Sequence, residues 1–384
     1  MTMPTPSVRR PELDWIRIAA FALLIIYHIA LFFGPWDWHV NSRNPQRWIA
    51  SALVATNPWR LGLLFFVSGA AMGLLGRRLP PGRLIVDRTR RLLIPMIFGA
   101  IVLVPPQAWV EAITKFGETR DFAAYLRDYF VEDGRPWAGL PLNHLWFIGY
   151  IWAYTFAVVA IAPFAPWLRW ATERRLRGVA LLLLPALYLV TVRIALFPVF
   201  GITNRLSWDW YNHASSLALF LLGYLIVDSE PVWRELARRR WQALLIAIVS
   251  VVPLMIDAAA PLPQHPRSIG MMTCFGINQW VSIAAILGFG YQHLRASDGP
   301  LLAYLRNGIF PFYLVHQTAI VLIAWRIDPL KLPPLVEAEL LTAATLASCF
   351  LVYEIARRLG PFGELVGLRY RRRAAEQRRP ALSS

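Results

Sequence analysis

Charge is scarce in this chain. Only 16% of its 384 residues are Asp, Glu, Lys or Arg, where a soluble domain of ordinary composition carries about a quarter. Cysteine is scarcer still. Cys274 and Cys349 stand alone within apolar runs, which excludes a disulfide framework or a cysteine-based metal pattern. No His/Cys/carboxylate spacing suits a metal ion, and no glycine-rich phosphate loop occurs. Acidic residues number 23 against 39 Lys and Arg, a formal charge of +16. That excess does not mark a nucleic-acid binder, because the basic residues fall in short blocks between apolar runs, as membrane orientation requires.

What is present is apolar surface: 57% hydrophobic residues, with 17 Trp and 21 Phe. A bilayer crossing takes about 20 apolar residues. Ten runs are expected to form such helices, at 13–34, 49–75, 91–110, 144–164, 178–200, 214–228, 241–257, 275–292, 308–326 and 335–356. The second and fifth are open to breaks at Pro58 and Pro198. The first follows Arg9 and Arg10, but its length and its want of a small-residue cleavage site argue for a permanent helix over a signal peptide. The expectation is an all-α, polytopic helix bundle forming one integral-membrane domain over residues 1–384, with a basic tail from about 357. The longest extramembrane stretch, 111–143, contains FAAYLRDYF and DGRPW, expected as a surface helix and a cap. The Lys/Arg bias, including Arg77, Arg78, Arg83, Arg88, Arg90 and Arg91 after the second run, places both termini in the cytoplasm.

Within the first run, Arg17 and His28 are eleven positions apart. At about 100° per residue that is within roughly 20° of three full turns, so both lie on one stripe about 16 Å apart along the axis. Asp14 shares that stripe one turn before Arg17 and is expected to fix the arginine, being roughly 20 Å from His28. Ionisable groups inside a spanning helix are expensive and usually face a protein interior or a watery cavity. Histidine suits proton transfer because it titrates near neutrality. The plainer alternative is that both residues only bond neighbouring helices. A stripe running from the cytoplasmic face inward suits a reaction that joins the two sides of a membrane.

Arg17-x10-His28, the run Phe65-Phe66-Val67-Ser68-Gly69, and Arg88-x-x-Arg91-Leu92-x-x-Pro95 resemble the acyltransferase-3 family of membrane enzymes. Trp38-His39-Val40-Asn41-Ser42, His144-Leu145-Trp146-Phe147, Tyr313-Leu314-Val315-His316 and Tyr353-Glu354-Ile355 further resemble those members that succinylate periplasmic glucans. The likeness covers nearly the whole chain. It implies a bacterial inner-membrane enzyme that moves a succinyl or acetyl group from cytoplasmic acyl-CoA to a glycan hydroxyl beyond the membrane. Acyl-CoA would be a donor substrate, with no bound cofactor and no metal. Besides the lipid bilayer, the expected partners are this donor and a glycan acceptor, not nucleic acid.

The resemblance implies catalytic roles for His28, Arg17 and His316, although a helix–helix hydrogen bond accounts equally well for His316. It implies donor binding by Arg17, Arg88, Arg91 and Ser68. Guanidinium forks suit the donor's phosphates, but a basic cluster also anchors topology against anionic lipid, and small residues such as Ser68-Gly69-Ala70-Ala71 usually serve helix packing. Arg193 and Arg60, buried in the outer halves of their helices, are candidates to clamp a succinyl carboxylate. The structural alternative pairs them with Asp209 or Asp257. His39 and His144 are expected at the external surface, where either would orient an acceptor hydroxyl, with Asn143 and Trp146 shaping the mouth. His213 and His265 have weaker claims there, and His293 reads as a solvated loop residue. Trp36, Trp38, Trp137, Trp208 and Trp210 offer faces on which sugars stack, though interfacial tryptophan is expected anyway.

Two readings from other classes compete. Polar stripes also line transporter and flippase paths, but no pair of matching interrupted helices marks two halves. A non-catalytic scaffold or sensor would tolerate loss of His28.

Overall fold

The computed structural model describes residues 9–132, 135–136, 142–260 and 268–368. Trp137, His265 and the tail beyond 368 lie outside them. The regular structure of the described residues is helical apart from a two-residue pairing of Val131–Glu132 with Arg135–Pro136. The helices are α1 (Pro11–Phe33), α2 (Trp48–Gly76), α3 (Pro81–Phe98), α4 (Val104–Phe116), α5 (Phe122–Tyr129), α6 (Trp146–Ile161), α7 (Ala165–Arg175), α8 (Ala180–Phe200), α9 (Trp210–Ile226), α10 (Glu230–Ala259), α11 (Ile269–Leu294), α12 (Pro300–Ile327) and α13 (Pro334–Ala356). A five-residue π-turn, Gly99–Leu103, joins α3 to α4 in one rod, and a short 3₁₀ turn joins α6 to α7.

Among the described residues, nine rods are long and apolar enough to cross a membrane. The tenth expected run is α9, 17 residues long, at the short end of the spanning range. The expected surface helix in 111–143 is α5, whose first turn is capped by Asp121 accepting from the Ala124 N–H at 2.8 Å.

Proline placement explains much of the geometry. It opens α1, α3, α10, α12 and α13, where a missing N–H costs no helical bond. The expected breaks do not occur: α2 continues through Pro58 and α8 through Pro198. In a bundle, neighbouring groups and local adjustment can satisfy the carbonyls that proline leaves free. The π-turn precedes Pro105 and Pro106. There the Leu103 carbonyl accepts from Gln107 Nε2 at 3.1 Å and from Thr318 Oγ1 at 2.8 Å. The irregular turn is thereby tied to α12.

At the centre, α2 packs against α1, α9, α10 and α11, while α12 packs against α1, α4 and α13. Without a strong hydrophobic drive between helices in lipid, close approach depends on small residues. A β-carbon on Gly69 would stand 1.8 Å from the Phe220 carbonyl oxygen, and one on Gly223 would stand 2.0 Å from that of Phe66. These two glycines let α2 and α9 touch backbone to backbone. Phe65, Phe66, Trp233 and Trp280 fill the surrounding core without exposure. The start of α1 and the end of α13 lie at the same end of the bundle, since Arg17, Arg357 and Arg358 border one cavity.

Candidate active site

The stripe on α1 faces inward. Arg17 and Phe21 line a cavity of about 1120 Å³ enclosed by α1, α2, α3, α6, α12, the end of α13 and the segment that follows it. All four expected donor-binding residues line it: Arg17, Ser68, Arg88 and Arg91. Arg78, Arg306, Arg357 and Arg358 complete an arginine rim, and no carboxylate lines the cavity among the described residues. Beside Arg17, Asp14 accepts from its Nη2 at 2.9 Å and pairs with Arg306 Nη1 at 3.3 Å. One carboxylate on α1 thus sets two guanidinium groups on different helices. At the rim, the hydrogen-bonded Glu354 carboxylate holds Arg357 above its ordinary value.

The basic cluster after α2 divides. Arg78, Arg88 and Arg91 turn to the cavity, whereas Arg77 pairs with Asp228 and Arg90 with Glu364. The small-residue patch divides in the same way. Gly69 serves the α2–α9 contact, and Ser68 and Ala71 face the cavity.

Tyr313 lines the inner part of this cavity. Its ring lies 5.9 Å from that of His316 and 5.7 Å from that of His144, and its hydroxyl donates to the His144 carbonyl. Beyond it three histidines meet: His28 and His316 at 5.0 Å between ring centres, His144 and His316 at 5.3 Å. His144 is buried, 6% exposed, which corrects the expected surface position. The 3₁₀ turn Asn143–Leu145 tucks its ring beneath α12, where Nε2–H donates to the Leu314 carbonyl at 3.1 Å.

Hydrogen-bond partners fix the tautomers of the neutral rings. His316 Nδ1–H donates to the Tyr313 carbonyl at 2.7 Å, leaving Nε2 as an acceptor. His28 Nδ1–H donates to the Leu24 carbonyl at 2.9 Å and lies 3.3 Å from His316 Nε2. The lone pair of His28 Nε2 is therefore uncommitted to either contact. Such a nitrogen can take a proton or an acyl group.

The two outer-half arginines differ. Arg193 bonds the Tyr211 hydroxyl at 2.8 Å and lies over Phe197 and Phe275, at 3.6 and 3.8 Å from their ring centres. It does not reach the cavity lining. The expected pairing with Asp209 is absent, because that carboxylate is taken by the Tyr150 hydroxyl, Asn212 and the Asn204 N–H. Arg60 lies 3.2 Å over the ring of Tyr27, the neighbour of His28. Arg60 is 5% exposed, yet its Nε and Nη1 have no hydrogen-bond partner among the described residues.

His39 is held, not solvated. Its Nδ1 meets Glu111 Oε2 at 2.5 Å, and its Nε2 accepts from Gln317 Nε2 at 2.9 Å. Trp38 turns in against both His28 and His39, whereas Trp36, Trp208 and Trp210 remain exposed. Asn143 donates to Gln107 at 3.3 Å, and Trp146 packs on Phe65 and Tyr150. His213 stacks on Tyr150 at 4.6 Å. His293 sits in the last turn of α11, not in a loop. Sequence reading missed Arg306, Arg357, Arg358, Tyr313 as a wall, and Glu111. Only the motif containing Tyr313 and the doublet after Tyr353-Glu354 gave any signal.

Comparison with known families decides the class. The acyltransferase-3 model, described as an acyltransferase domain, matches residues 10–354. The chain belongs to the acyltransferase-3 family. Family membership and the nine apolar rods among the described residues support a multi-pass membrane protein, and favour the acyltransferase reading over the transporter and scaffold readings. The chain is 30% identical over 145 residues to glucans biosynthesis protein C of Shigella dysenteriae serotype 1, covering 38% of this chain and 37% of that protein. A protein of the same name from Salmonella gallinarum is 25% identical over 230 residues, 58% of each chain. The matched segments thus span less than two thirds of these relatives' own lengths. No solved structure matches.

Proposed function

We propose that this enzyme takes an acyl group from acyl-CoA on the cytoplasmic side of a bacterial inner membrane and places it on a glycan hydroxyl on the other side. The observation that carries this reading is that Tyr313 walls the arginine-rimmed cavity and also packs against His316 and His144 of the histidine cluster. Guanidinium groups suit the phosphates of coenzyme A, and the apolar walls near Phe21, Phe147 and Ile151 suit its pantetheine arm. The rim end is cytoplasmic, in keeping with its positive charge. Both termini then face the cytoplasm.

His28 acts at the thioester. Its free Nε2 receives either the acyl group or the proton of an attacking hydroxyl. His316 and Leu24 hold the opposite nitrogen and fix the ring. Succinyl is the preferred acyl group in this reading. Arg60, whose Nε and Nη1 lack an acceptor among the described residues and which lies on Tyr27 beside His28, matches a carboxylate at the far end of the acyl chain better than Arg193 does. The name of the matched relatives, glucans biosynthesis protein C, favours a glucan acceptor.

The test uses purified enzyme, labelled succinyl-CoA or acetyl-CoA, and a soluble glucan oligosaccharide. Free coenzyme A should appear in step with a glucan mass increase of one acyl group. Release without glycan modification, or no release from either donor, would overturn the reading.

A further inference from the structure

The outer end of the bundle holds a second histidine arrangement, separate from the three-ring cluster. His39 follows α1 in the segment leading to α2, beyond the end of the helix opposite Arg17. Its Nδ1–H is directed at Glu111 Oε2, 2.5 Å away on α4. Its Nε2 faces Gln317 on α12, 2.9 Å away, the residue next to His316. Gln317 also donates to Gln107 Oε1 at 3.1 Å, and Gln107 donates to Thr318 at 2.6 Å. This amide chain ends on the Leu103 carbonyl at the π-turn. The other charged groups at Glu111 are Lys115 and, through it, Asp37. Trp38 lies between this pair and the donor side, with ring centres 5.3 Å from His39 and 6.2 Å from His28.

A carboxylate on one imidazole nitrogen fixes the tautomer and leaves the other nitrogen with a lone pair. This is the arrangement that general-base chemistry requires. Here the lone pair is met by a neutral amide, which an incoming hydroxyl can replace.

We infer that His39, positioned by Glu111, is the base that takes the proton from the acceptor hydroxyl. This rests on the proposed acyl transfer and assigns its two halves to two histidines. In the first half, His28 Nε2 attacks the thioester carbon. The C–S bond breaks, and coenzyme A leaves as a thiolate that is protonated from water. In the second half, the acceptor oxygen attacks the acyl carbon while its proton passes to His39 Nε2. The C–N bond to His28 breaks, and its electron pair returns to that nitrogen. Glu111 accepts from His39 Nδ1–H throughout and stabilises the imidazolium that forms. That imidazolium then returns its Nε2 proton to the hydroxide left by the water that protonated the thiolate.

The two halves are measured separately on the full-length enzyme. Exchange of label between succinyl-CoA and free coenzyme A reports the first, and transfer to a glucan oligosaccharide reports the second. Glu111→Gln should lower transfer by about tenfold to a hundredfold and His39→Gln by about a hundredfold or more, with exchange kept within about twofold. Glu111→Asp should recover most of the transfer. The acid limb of kcat/KM for the acceptor should flatten in His39→Gln, which a structural role would not produce. Parallel loss of exchange and transfer, or unchanged transfer, would overturn the inference. Absence of exchange in the unmodified enzyme would overturn it too, since direct attack leaves His28 as the base. A failure of the underlying acyltransferase reading is distinguishable: no coenzyme A would then be released even with acceptor present.

Discussion

His28 Nδ1 lies 3.3 Å from His316 Nε2, across the interface of α1 and α12. His316 is turned for this contact by its own Nδ1–H bond to Tyr313, so its role is to accept. The two rings are therefore unequal: His28 keeps a free nitrogen and His316 does not. His28→Ala should lower acyl transfer by about 10²- to 10⁴-fold. His316→Asn, which retains a hydrogen-bonding group, should cost about tenfold. Coenzyme A release at saturating donor measures both. Equal losses would mean that His316 also touches the reacting atoms.

Seven arginines line the cavity proposed for the donor, so binding of an anionic donor there should be sensitive to ionic strength. Screening lengths fall from about 10 Å at 0.1 M salt to about 3 Å at 1 M. The KM for acyl-CoA should rise with salt while kcat stays within about twofold. Arg306→Gln and Arg88→Gln should each raise that KM by about tenfold, equivalent to about 1.4 kcal/mol. Arg90→Gln serves as the contrast, because Arg90 pairs with Glu364 outside the cavity lining and should leave KM unchanged.

Much of this was legible in the residues. Each of the ten apolar runs became a helix and nine of them rods long enough to span, with α9 the short exception, because hydropathy reads membrane depth directly. The α1 stripe held because a single helix fixes the relation of Arg17 to His28 by angle alone. What a single helix cannot show is which neighbour it meets. His144 was read as an interfacial residue because it precedes α6, yet the 3₁₀ turn folds it under α12. Arg306 belongs to a basic block too weak to stand out, and its importance comes from sharing Asp14 with Arg17 across two helices. Glu111 sits 72 positions from His39 in the sequence, so no local pattern joins them.

The α2–α9 contact gives a stability prediction independent of chemistry. A methyl group at position 69 would overlap the Phe220 carbonyl, and backbone cannot swing aside as a long side chain would. Gly69→Ala should lower the thermal midpoint in detergent, at a cost of about 1–3 kcal/mol for overpacking. Gly82→Ala, at a position with open space around it, is the control and should leave the midpoint within error. Since Ser68 lines the cavity proposed for the donor from the adjacent position, Gly69→Ala should also raise the acyl-CoA KM.

Arg60 and Arg193 were expected to be alternatives for holding a succinyl carboxylate, and their surroundings separate them. Arg193 is enclosed by Tyr211, Phe197 and Phe275, with its hydroxyl contact already made. Arg60 lies eleven positions from cavity-lining Ala71 on α2, a spacing that puts both on one stripe about 16 Å apart along the axis. Because α1 and α2 run in opposite directions, this places Arg60 beside Tyr27 and at the depth of His28, consistent with the stacking contact. A charged side chain within a spanning helix costs about 3 kcal/mol on insertion scales. A carboxylate bound during the reaction would supply the acceptors its Nε and Nη1 lack. Arg60→Met should therefore lower kcat/KM for succinyl-CoA by about tenfold to a hundredfold and leave acetyl-CoA within about threefold. Arg193→Met should lower both donors equally, if at all. The measurement is the ratio of the two donor efficiencies in each variant. An unchanged ratio in Arg60→Met would remove that residue from acyl-group selection.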